Sequence, residues 1–235
     1  MVDLITHYNK FGYCILDAFD SNEFLSLKDF TNNWVKSVIQ NKSSIDVSNY
    51  DLGHYHKWSS DLGIVHDGIF TAKNRYIDPP ELIKAITHNT KVMNLLNGIH
   101  SNGYIQWADP GLGWFGYRLI RPSMGDGYPT SCKNWGAAAG VVSIWAPIIG
   151  FSKNETLSFI PGSHTRSYES YLPDNQKFTK GELRLNQYVD KSEYKQLDLN
   201  EGQVIIYHPA LLHTENIENG NITRINLEYR FMPKK

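Results

Sequence analysis

The chain has 235 residues, a formal net charge of −1, 41% hydrophobic and 20% charged residues, which is the composition of an ordinary globular protein. It has no basic block and no run of about 18 apolar residues, which argues against nucleic-acid and membrane partners. Two isolated cysteines, Cys14 and Cys132, and an N-terminus without the apolar region of a signal peptide predict a cytoplasmic protein.

The first half of the chain predicts two amphipathic helices set between a short strand and polar loops. A β-branched and aromatic run over residues 11–16 indicates an opening strand. Asp20 begins an N-cap signal for a helix over residues 23–40, which has an apolar face. Residues 42–61 are polar and indicate irregular structure, and a Pro-Pro pair then opens a second helix over residues 81–97.

From Tyr117 onward the pattern changes to short apolar runs bounded by Gly, Pro, Asn or Asp, which is typical of strands. The candidate strands are residues 117–120, 140–149, 156–160, 196–199, 203–207 and 223–232. Helices followed by a run of strands predict an α+β, mainly β fold. We expect one domain over residues 1–235, with a helical and loop-rich part at 1–115 and a β core at 116–235.

Several segments carry recognisable patterns in a fixed order along the chain. They are residues 12–17 (Gly-Tyr-Cys-Ile-Leu-Asp), 118–122, 142–147, 157–164 (ending Pro-Gly-Ser-His), 202–207, 211–213 and 219–224. Together they resemble the phytanoyl-CoA dioxygenase-like family of iron(II)/2-oxoglutarate-dependent oxygenases. The resemblance implies a double-stranded β-helix core (jelly-roll, cupin-like) with N-terminal flanking helices, and it implies 2-oxoglutarate and iron(II) as cofactors.

The resemblance also assigns two site residues. In this family a His-x-Asp pair and a distal His hold iron(II), and a late basic residue pairs with the far carboxylate of 2-oxoglutarate. His213 stands at the distal His position and is the candidate metal ligand, and Arg224 stands at the 2-oxoglutarate position. Arg224 could instead be structural and pair with Glu228 or Glu215. His164 matches the family's structural turn His rather than a ligand.

The His-x-Asp motif is absent from the segment where the resemblance places it, residues 129–135 (Pro-Thr-Ser-Cys-Lys-Asn-Trp). One register puts Ser131 and Lys133 at the two ligand positions, and the other puts Cys132 and Asn134 there. Ser and Asn are weak neutral ligands, and a protonated Lys cannot ligate a cation. In the first register Lys133 could act as a surrogate cation; in the second, Cys132 could supply a thiolate.

Other residues could rebuild a site, although each has a plainer explanation. His54, His56 and the His66-Asp67 pair lie in the N-terminal region that can fold over a barrel mouth, but their pattern is first that of exposed loop residues. His208 is interpreted as a hydrogen-bonded strand-end residue and Asp126 as a turn residue. Four tryptophans could line a ligand cleft or fill the core: Trp107, Trp114, Trp135 and Trp145.

Three functions follow from these observations. The first is an oxidoreductase that uses 2-oxoglutarate and a non-standard iron site to act on a small polar or sugar-linked metabolite. The second is a catalytically silent relative that binds an organic acid or sugar as a sensor or accessory protein. The third is a metal-independent enzyme that uses Lys133 or Cys132. All three have a small-molecule partner.

Overall fold

The computed structural model describes residues 2–69, 80–106, 116–122, 130–131, 140–151, 156–168, 170–171, 184–185, 190–215 and 221–234. The α-helices of this part are α1 (Val2–Phe11), α2 (Ser21–Ser43), α3 (Tyr55–Asp61), α4 (His66–Ile69), α5 (Pro80–Thr87) and α6 (Thr90–Ile99). Short 3₁₀ helices cover Leu52–His54, Ser163–Thr165 and Lys191–Glu193.

The strands of the described part are β1 (Tyr13–Asp17), β2 (Tyr104–Gln106), β3 (Gly116–Ile120), β4 (Thr130–Ser131), β5 (Val142–Ile149), β6 (Leu157–Phe159), β7 (Ser170–Tyr171), β8 (Arg184–Leu185), β9 (Lys195–Gln196), β10 (Gln203–Tyr207), β11 (Leu212–Glu215) and β12 (Arg224–Pro233). They form a six-stranded large sheet, β1-β10-β5-β12-β2 with β3 also on β12, and a four-stranded small sheet, β4-β11-β6-β9. β7 pairs with β8. All of these pairings are antiparallel.

A helix-side core packs the helices against one face of the large sheet. In α2, Phe24, Leu27, Val35 and Ile39 are buried, which follows the spacing of an amphipathic helix. This helix begins in a capping box, in which Asp20 Oδ1 accepts from the backbone N–H of Glu23 at 2.9 Å. The odd-numbered residues of β12 face the same core: Ile225, Leu227, Tyr229 and Phe231.

A second, inter-sheet core lies between the two sheets. Its buried members come from both of them: Trp145, Leu157, Phe159, Leu197, Ile205, Tyr207 and Leu211. Tyr13 of β1 stacks on Phe159 of β6, with ring centroids 5.4 Å apart, so the stacked pair ties the sheets together directly. The face of the large sheet that points to this core is called the inner face below.

The predicted α+β arrangement is confirmed, and its sheets are antiparallel, but one N-terminal helix was missed and two N-terminal predictions were wrong. Residues 2–11, for which no helix was predicted, form α1. Residues 42–61, predicted to be irregular, include the helix α3. The predicted helix over 81–97 is two helices, because the side chain of Asn89 accepts a hydrogen bond from the Val92 N–H and starts a new helix there.

The predicted strands agree with the structure within a few residues, and the structure adds short strands that the sequence did not indicate. The single-domain organisation stays a prediction. Among the described residues, none of the helices combines the length and apolar character required to cross a bilayer.

Candidate functional site

The even-numbered residues of β12 place a polar row on the inner face of the large sheet. Side chains alternate along a strand, and the odd-numbered residues of β12 belong to the helix-side core. Arg224, Asn226, Glu228 and Arg230 therefore point the other way, toward the space between the sheets. A charged row inside a fold marks a candidate binding site, because burying such groups costs free energy unless partners are provided.

Arg224, the predicted 2-oxoglutarate ligand, lies at the start of this row and is only 2% exposed. Its guanidinium carbon lies 5.3 Å from the centre of the Trp145 ring, a cation–π contact with a residue of the inter-sheet core. The backbone of Arg224 pairs with that of Ile120 on β3. The Arg224 guanidinium therefore lies against the Trp145 ring in the space between the sheets.

Glu228 is bound by neighbours on the same face. Nη1 of Arg118 donates to Glu228 Oε1 at 3.1 Å, and Nδ2 of Asn226 donates to the same oxygen at 3.3 Å. Burial alone would raise the pKa of Glu228, but the adjacent Arg118 charge and hydrogen bond, with a smaller effect of Arg230, hold that pKa below its ordinary value. His213 contributes to the same lowering, so Glu228 and His213 lie within electrostatic reach of one another.

His213, the predicted metal ligand, reaches the same space from the small sheet. It is 8% exposed and packs against Phe159 and Tyr207, with ring centroids 5.9 and 5.2 Å away. Nδ1 of His213 lies 2.9 Å from the carbonyl oxygen of Leu211. A carbonyl only accepts, so Nδ1 carries a proton; in the neutral form of the ring the lone pair is then on Nε2, the atom that can ligate a metal.

The segment with the altered metal motif begins beside His213. In the pairing of β4 with β11, Thr130 stands opposite His213 and Ser131 stands opposite Leu212. Cys132, Lys133 and Asn134 lie outside the described residues, as do Asp126, Trp107, Trp114 and Trp135.

His164 and His208 lie together at a junction between the N-terminal helix and both sheets. Their ring centroids are 5.3 Å apart, and His164 Nε2 donates to the carbonyl of Asn9 on α1 at 3.3 Å. Burial, with a smaller effect of His164, lowers the pKa of His208 to about 4. In the same turn Ser163 Oγ accepts from the N–H of Leu212 at 2.8 Å, which anchors the strand that carries His213. These contacts are structural.

The N-terminal histidines have separate partners. His54 Nδ1 lies 2.7 Å from Asp51 Oδ2 on the surface. His56 contacts the hydroxyl of Thr223 at 2.9 Å, directly before Arg224, and His66 lies 3.3 Å from the hydroxyl of Tyr55. The His56 contact binds the N-terminal part to the residue before β12, whereas the contacts of His54 and His66 stay within that part.

The described residues match 2-oxoglutarate better than they match iron(II). Arg224 offers a planar fork of N–H donors that matches a carboxylate. For ferrous iron, His213 fits as one ligand, but within the described ranges no group of three or more His, Cys, Asp or Glu side chains comes together. Glu228, the carboxylate within electrostatic reach of His213, is already bound to Arg118.

Sequence reasoning missed three hydrogen-bonded residues of the inner face, two from the polar row of β12 and one from β3. Asn226 and Arg118 were not predicted, and Glu228 was considered only as a partner of Arg224, whereas its ion pair is with Arg118. The sequence did indicate residues 226 and 228, because side chains alternate along a strand and both therefore share the face of Arg224.

Comparison with solved structures defines the fold class. Over 99% of this chain, EvdMO1 superposes with a TM-score of 0.60 at 16% identity, and the match covers 50% of the EvdMO1 chain. SnoK, a non-haem α-ketoglutarate-dependent carbocyclase from nogalamycin biosynthesis, gives a TM-score of 0.57 at 10% identity, covering 99% of this chain and 83% of its own.

EctD from S. alaskensis, solved with 2-oxoglutarate and 5-hydroxyectoine, gives a TM-score of 0.57 at 12% identity over 98% of this chain and 75% of its own. The chain therefore shares the fold of 2-oxoglutarate-dependent oxygenases, although it spans only half the length of EvdMO1.

The family model of phytanoyl-CoA dioxygenase matches residues 130–215, from the altered motif to just past His213. The predicted resemblance to this family is confirmed over that segment, and the fold of the solved structures agrees with it. No curated protein sequence matches the chain significantly.

Proposed function

We propose that this chain is a 2-oxoglutarate-dependent oxygenase-like protein whose two sheets form a double-stranded β-helix around an organic-acid site. The observation that carries the proposal is the buried guanidinium of Arg224, which lies over Trp145 on the inner face. In the proposed complex Arg224 holds one carboxylate of 2-oxoglutarate or a related diacid through paired hydrogen bonds. The ligand is a small molecule, and neither nucleic acid nor a membrane is involved.

The proposed metal site is non-standard and retains His213. Beyond Ser131 the motif segment lies outside the described residues, so both registers are kept as proposals: Cys132 with Asn134, or Ser131 with Lys133. Thiolate and imidazole are both competent ligands for divalent transition metals. Bound iron would supply dioxygen activation, and the chain's own residues would position the diacid and the substrate.

The proposed substrate is a small polar or sugar-linked metabolite. The described wall of the inter-sheet space combines aromatic rings with the charged row of β12. Such a mixture suits ligands that present both polar edges and apolar faces. SnoK, whose structure the chain resembles in fold, acts in the biosynthesis of a natural product, which agrees with a small-molecule substrate.

A second function is favoured by one further contact. Glu228 could in principle replace the missing Asp of the metal motif, but Arg118 binds it at 3.1 Å, and the Arg230 charge also acts on it. A site with two neighbouring guanidinium groups disfavours a divalent cation. The alternative is therefore a catalytically silent relative that binds an organic acid or sugar and serves as a sensor or accessory protein.

Two measurements test these functions. Protein loaded anaerobically with ferrous iron is analysed for bound metal and for succinate release from 2-oxoglutarate in air; near-stoichiometric iron and turnover that His213→Ala abolishes support the oxygenase. Calorimetric titration of 2-oxoglutarate tests the anion site in either case. We expect Arg224→Gln to weaken binding by at least about tenfold.

The matched control is Arg166→Gln, since Arg166 forms a surface ion pair with Glu193. Binding that is equal in wild type and Arg224→Gln, or absent in both, contradicts the organic-acid site. Binding that depends on Arg224 without iron or turnover favours the silent relative.

A further inference from the structure

Three buried atoms of uncharged side chains on the inner face of β5 and β12 have no hydrogen-bond partner among the described residues. They are Ser143 Oγ, Trp145 Nε1 and Asn226 Oδ1. The side chains of Trp145 and Asn226 are fully buried, and Ser143 is 2% exposed. Leaving such atoms unsatisfied is unusual in a folded protein, because each loses its hydrogen bonds to water without replacement.

The orientation of the Asn226 amide follows from its neighbour. Its Nδ2 donates to Glu228 Oε1, which also accepts from Arg118. An ionised carboxylate only accepts hydrogen bonds, so the amide nitrogen of Asn226 must face Glu228. The amide oxygen is thereby directed away from Glu228, and it can be satisfied only by a group that carries a hydrogen.

Asn226 shares a face of β12 with Arg224 and Glu228. The backbone partner of Trp145 on β12 is Glu228, and its ring is also the one beneath the Arg224 guanidinium. Asn226 stands between these two positions on the same face of the strand. One small region therefore offers the guanidinium donors of Arg224, the N–H donor of Trp145 and the acceptor oxygen of Asn226.

We propose that this region selects an organic acid that bears a hydroxyl group close to its carboxylate. The carboxylate accepts from Arg224 and Trp145 Nε1, while the hydroxyl donates to Asn226 Oδ1. The inference rests on the proposed organic-acid site, and because it disfavours a 2-oxo acid there, it agrees with the catalytically silent relative rather than with the oxygenase. A plain diacid or a 2-oxo acid offers only acceptors, so it leaves Asn226 Oδ1 unsatisfied, whereas a hydroxy acid satisfies both kinds of atom.

The test is calorimetric titration of the full chain with pairs of acids that differ by one group. Succinate is compared with the two enantiomers of malate, and glutarate and 2-oxoglutarate with the two enantiomers of 2-hydroxyglutarate. We expect one enantiomer of a hydroxy acid to bind about tenfold more tightly than its parent acid, the value of one well-formed hydrogen bond.

Two variants test whether Asn226 causes the preference for a hydroxy acid. Asn226→Leu keeps the branched shape but removes the amide oxygen, so hydroxy acid and parent should bind with nearly equal affinity. Ser143→Ala is the matched control, because it removes another unpartnered buried atom of the same face but leaves Asn226 in place; the preference should persist there.

The outcomes separate this inference from the function on which it rests. If diacids bind in an Arg224-dependent manner but wild type shows no preference for the hydroxyl, the hydroxy-acid inference is overturned and the organic-acid site stands. A preference that survives in Asn226→Leu overturns the inference equally. If no acid binds, the organic-acid site itself fails. The wild-type comparison decides the question even where a variant does not fold.

Discussion

The guanidinium of Arg224 rests on the indole of Trp145, with 5.3 Å between the guanidinium carbon and the ring centre. Trp145 is fully buried in the inter-sheet core, so one side chain serves both as packing and as support for the cation. An aromatic platform fixes the plane of the guanidinium fork, and that plane decides which ligand can form two hydrogen bonds with it.

Shortening Trp145 should therefore damage stability and ligand binding together. We expect Trp145→Leu to lower the free energy of unfolding by about 2–4 kcal/mol, because it leaves a cavity in the inter-sheet core. Urea unfolding measures this, with Val65→Ala as the control, since Val65 is 71% exposed. Equal midpoints for the Trp145 and Val65 variants would show that Trp145 is not a packing residue.

Gly12 should be intolerant of any side chain. An alanine Cβ there would lie 2.5 Å from His164 Nδ1 and 2.8 Å from Leu211 Cδ1, and the residue has φ +83°. Gly12→Ala should cost about 2 kcal/mol or more, the sum of backbone strain and overpacking.

Gly63→Ala is the matched control for Gly12→Ala. Gly63 also has a positive φ, +66°, but nothing lies within 4 Å of the added carbon. Only the backbone cost of about 1 kcal/mol applies there. The free energies of unfolding of the two variants, measured by chemical denaturation, separate the backbone cost from the packing cost. Equal decreases in both variants would disprove the close packing at Gly12.

Acid should destabilise the fold through His208. The folded-state pKa of His208 is lowered to about 4 from an ordinary value of 6.5, first by burial and then by His164. Between those values the unfolded chain binds more protons than the folded one, so this contribution to stability is present above pH 6.5 and is lost as the pH falls toward 4.

His208→Asn removes the titrating group and keeps an acceptor for the Ala210 N–H, which donates to His208 Nδ1 at 3.1 Å. Thermal unfolding should show a shallower loss of stability between pH 6.5 and 4 for the variant than for wild type. Measurements at about pH 8 provide the reference, because an imidazole is neutral there in both states. Parallel profiles would rule out the assignment to His208.

The break between α5 and α6 depends on Asn89. Its Oδ1 accepts from the Val92 N–H at 3.0 Å and its Nδ2 donates to the Ala18 carbonyl at 2.9 Å. Asn89→Ala should reduce the free energy of unfolding by about 1 kcal/mol. Asn22→Ala, at an exposed position in the first turn of α2, should change it by less than about 0.5 kcal/mol. Comparable losses in both variants would contradict the capping role.

Metal binding should separate the two registers of the altered motif. If Cys132 is a ligand, Cys132→Ser should release most of the ferrous iron bound by anaerobically loaded protein, because a neutral hydroxyl replaces a thiolate. Ser131→Ala should retain it. Iron loss in the Ser131 variant alone would favour the other register, and elemental analysis after desalting measures both.

The sequence predicted the second half of the fold better than the first. Strands such as residues 203–207 combine β-branched residues with turn signals on either side, and these local patterns fix their bounds. α1 and α3 are short helices that depend on tertiary packing, which local patterns do not report. Asn89 was overlooked because the apolar residues on both sides of it fit a single helical pattern.

For the candidate site, the order of motifs singled out His213 and Arg224 as predicted ligands, but it could not give the residues that surround them. Arg118 and Glu228 are 110 positions apart in the chain and meet only through the pairing of β3 with β12. Such a contact is set by strand register, which a single sequence leaves open. The unpartnered amide oxygen of Asn226 likewise depends on the position of Glu228, and no motif encodes it.

The two faces of β12 are subject to different demands, and this has a practical consequence for redesign. Substitutions at residues 225, 227, 229 and 231 alter the packing of the helices on the sheet, whereas substitutions at 224, 226 and 228 alter the proposed organic-acid site. A library that varies only these even-numbered positions therefore leaves the side chains of the helix-side core unchanged. Randomising the whole strand would mostly return unfolded chains.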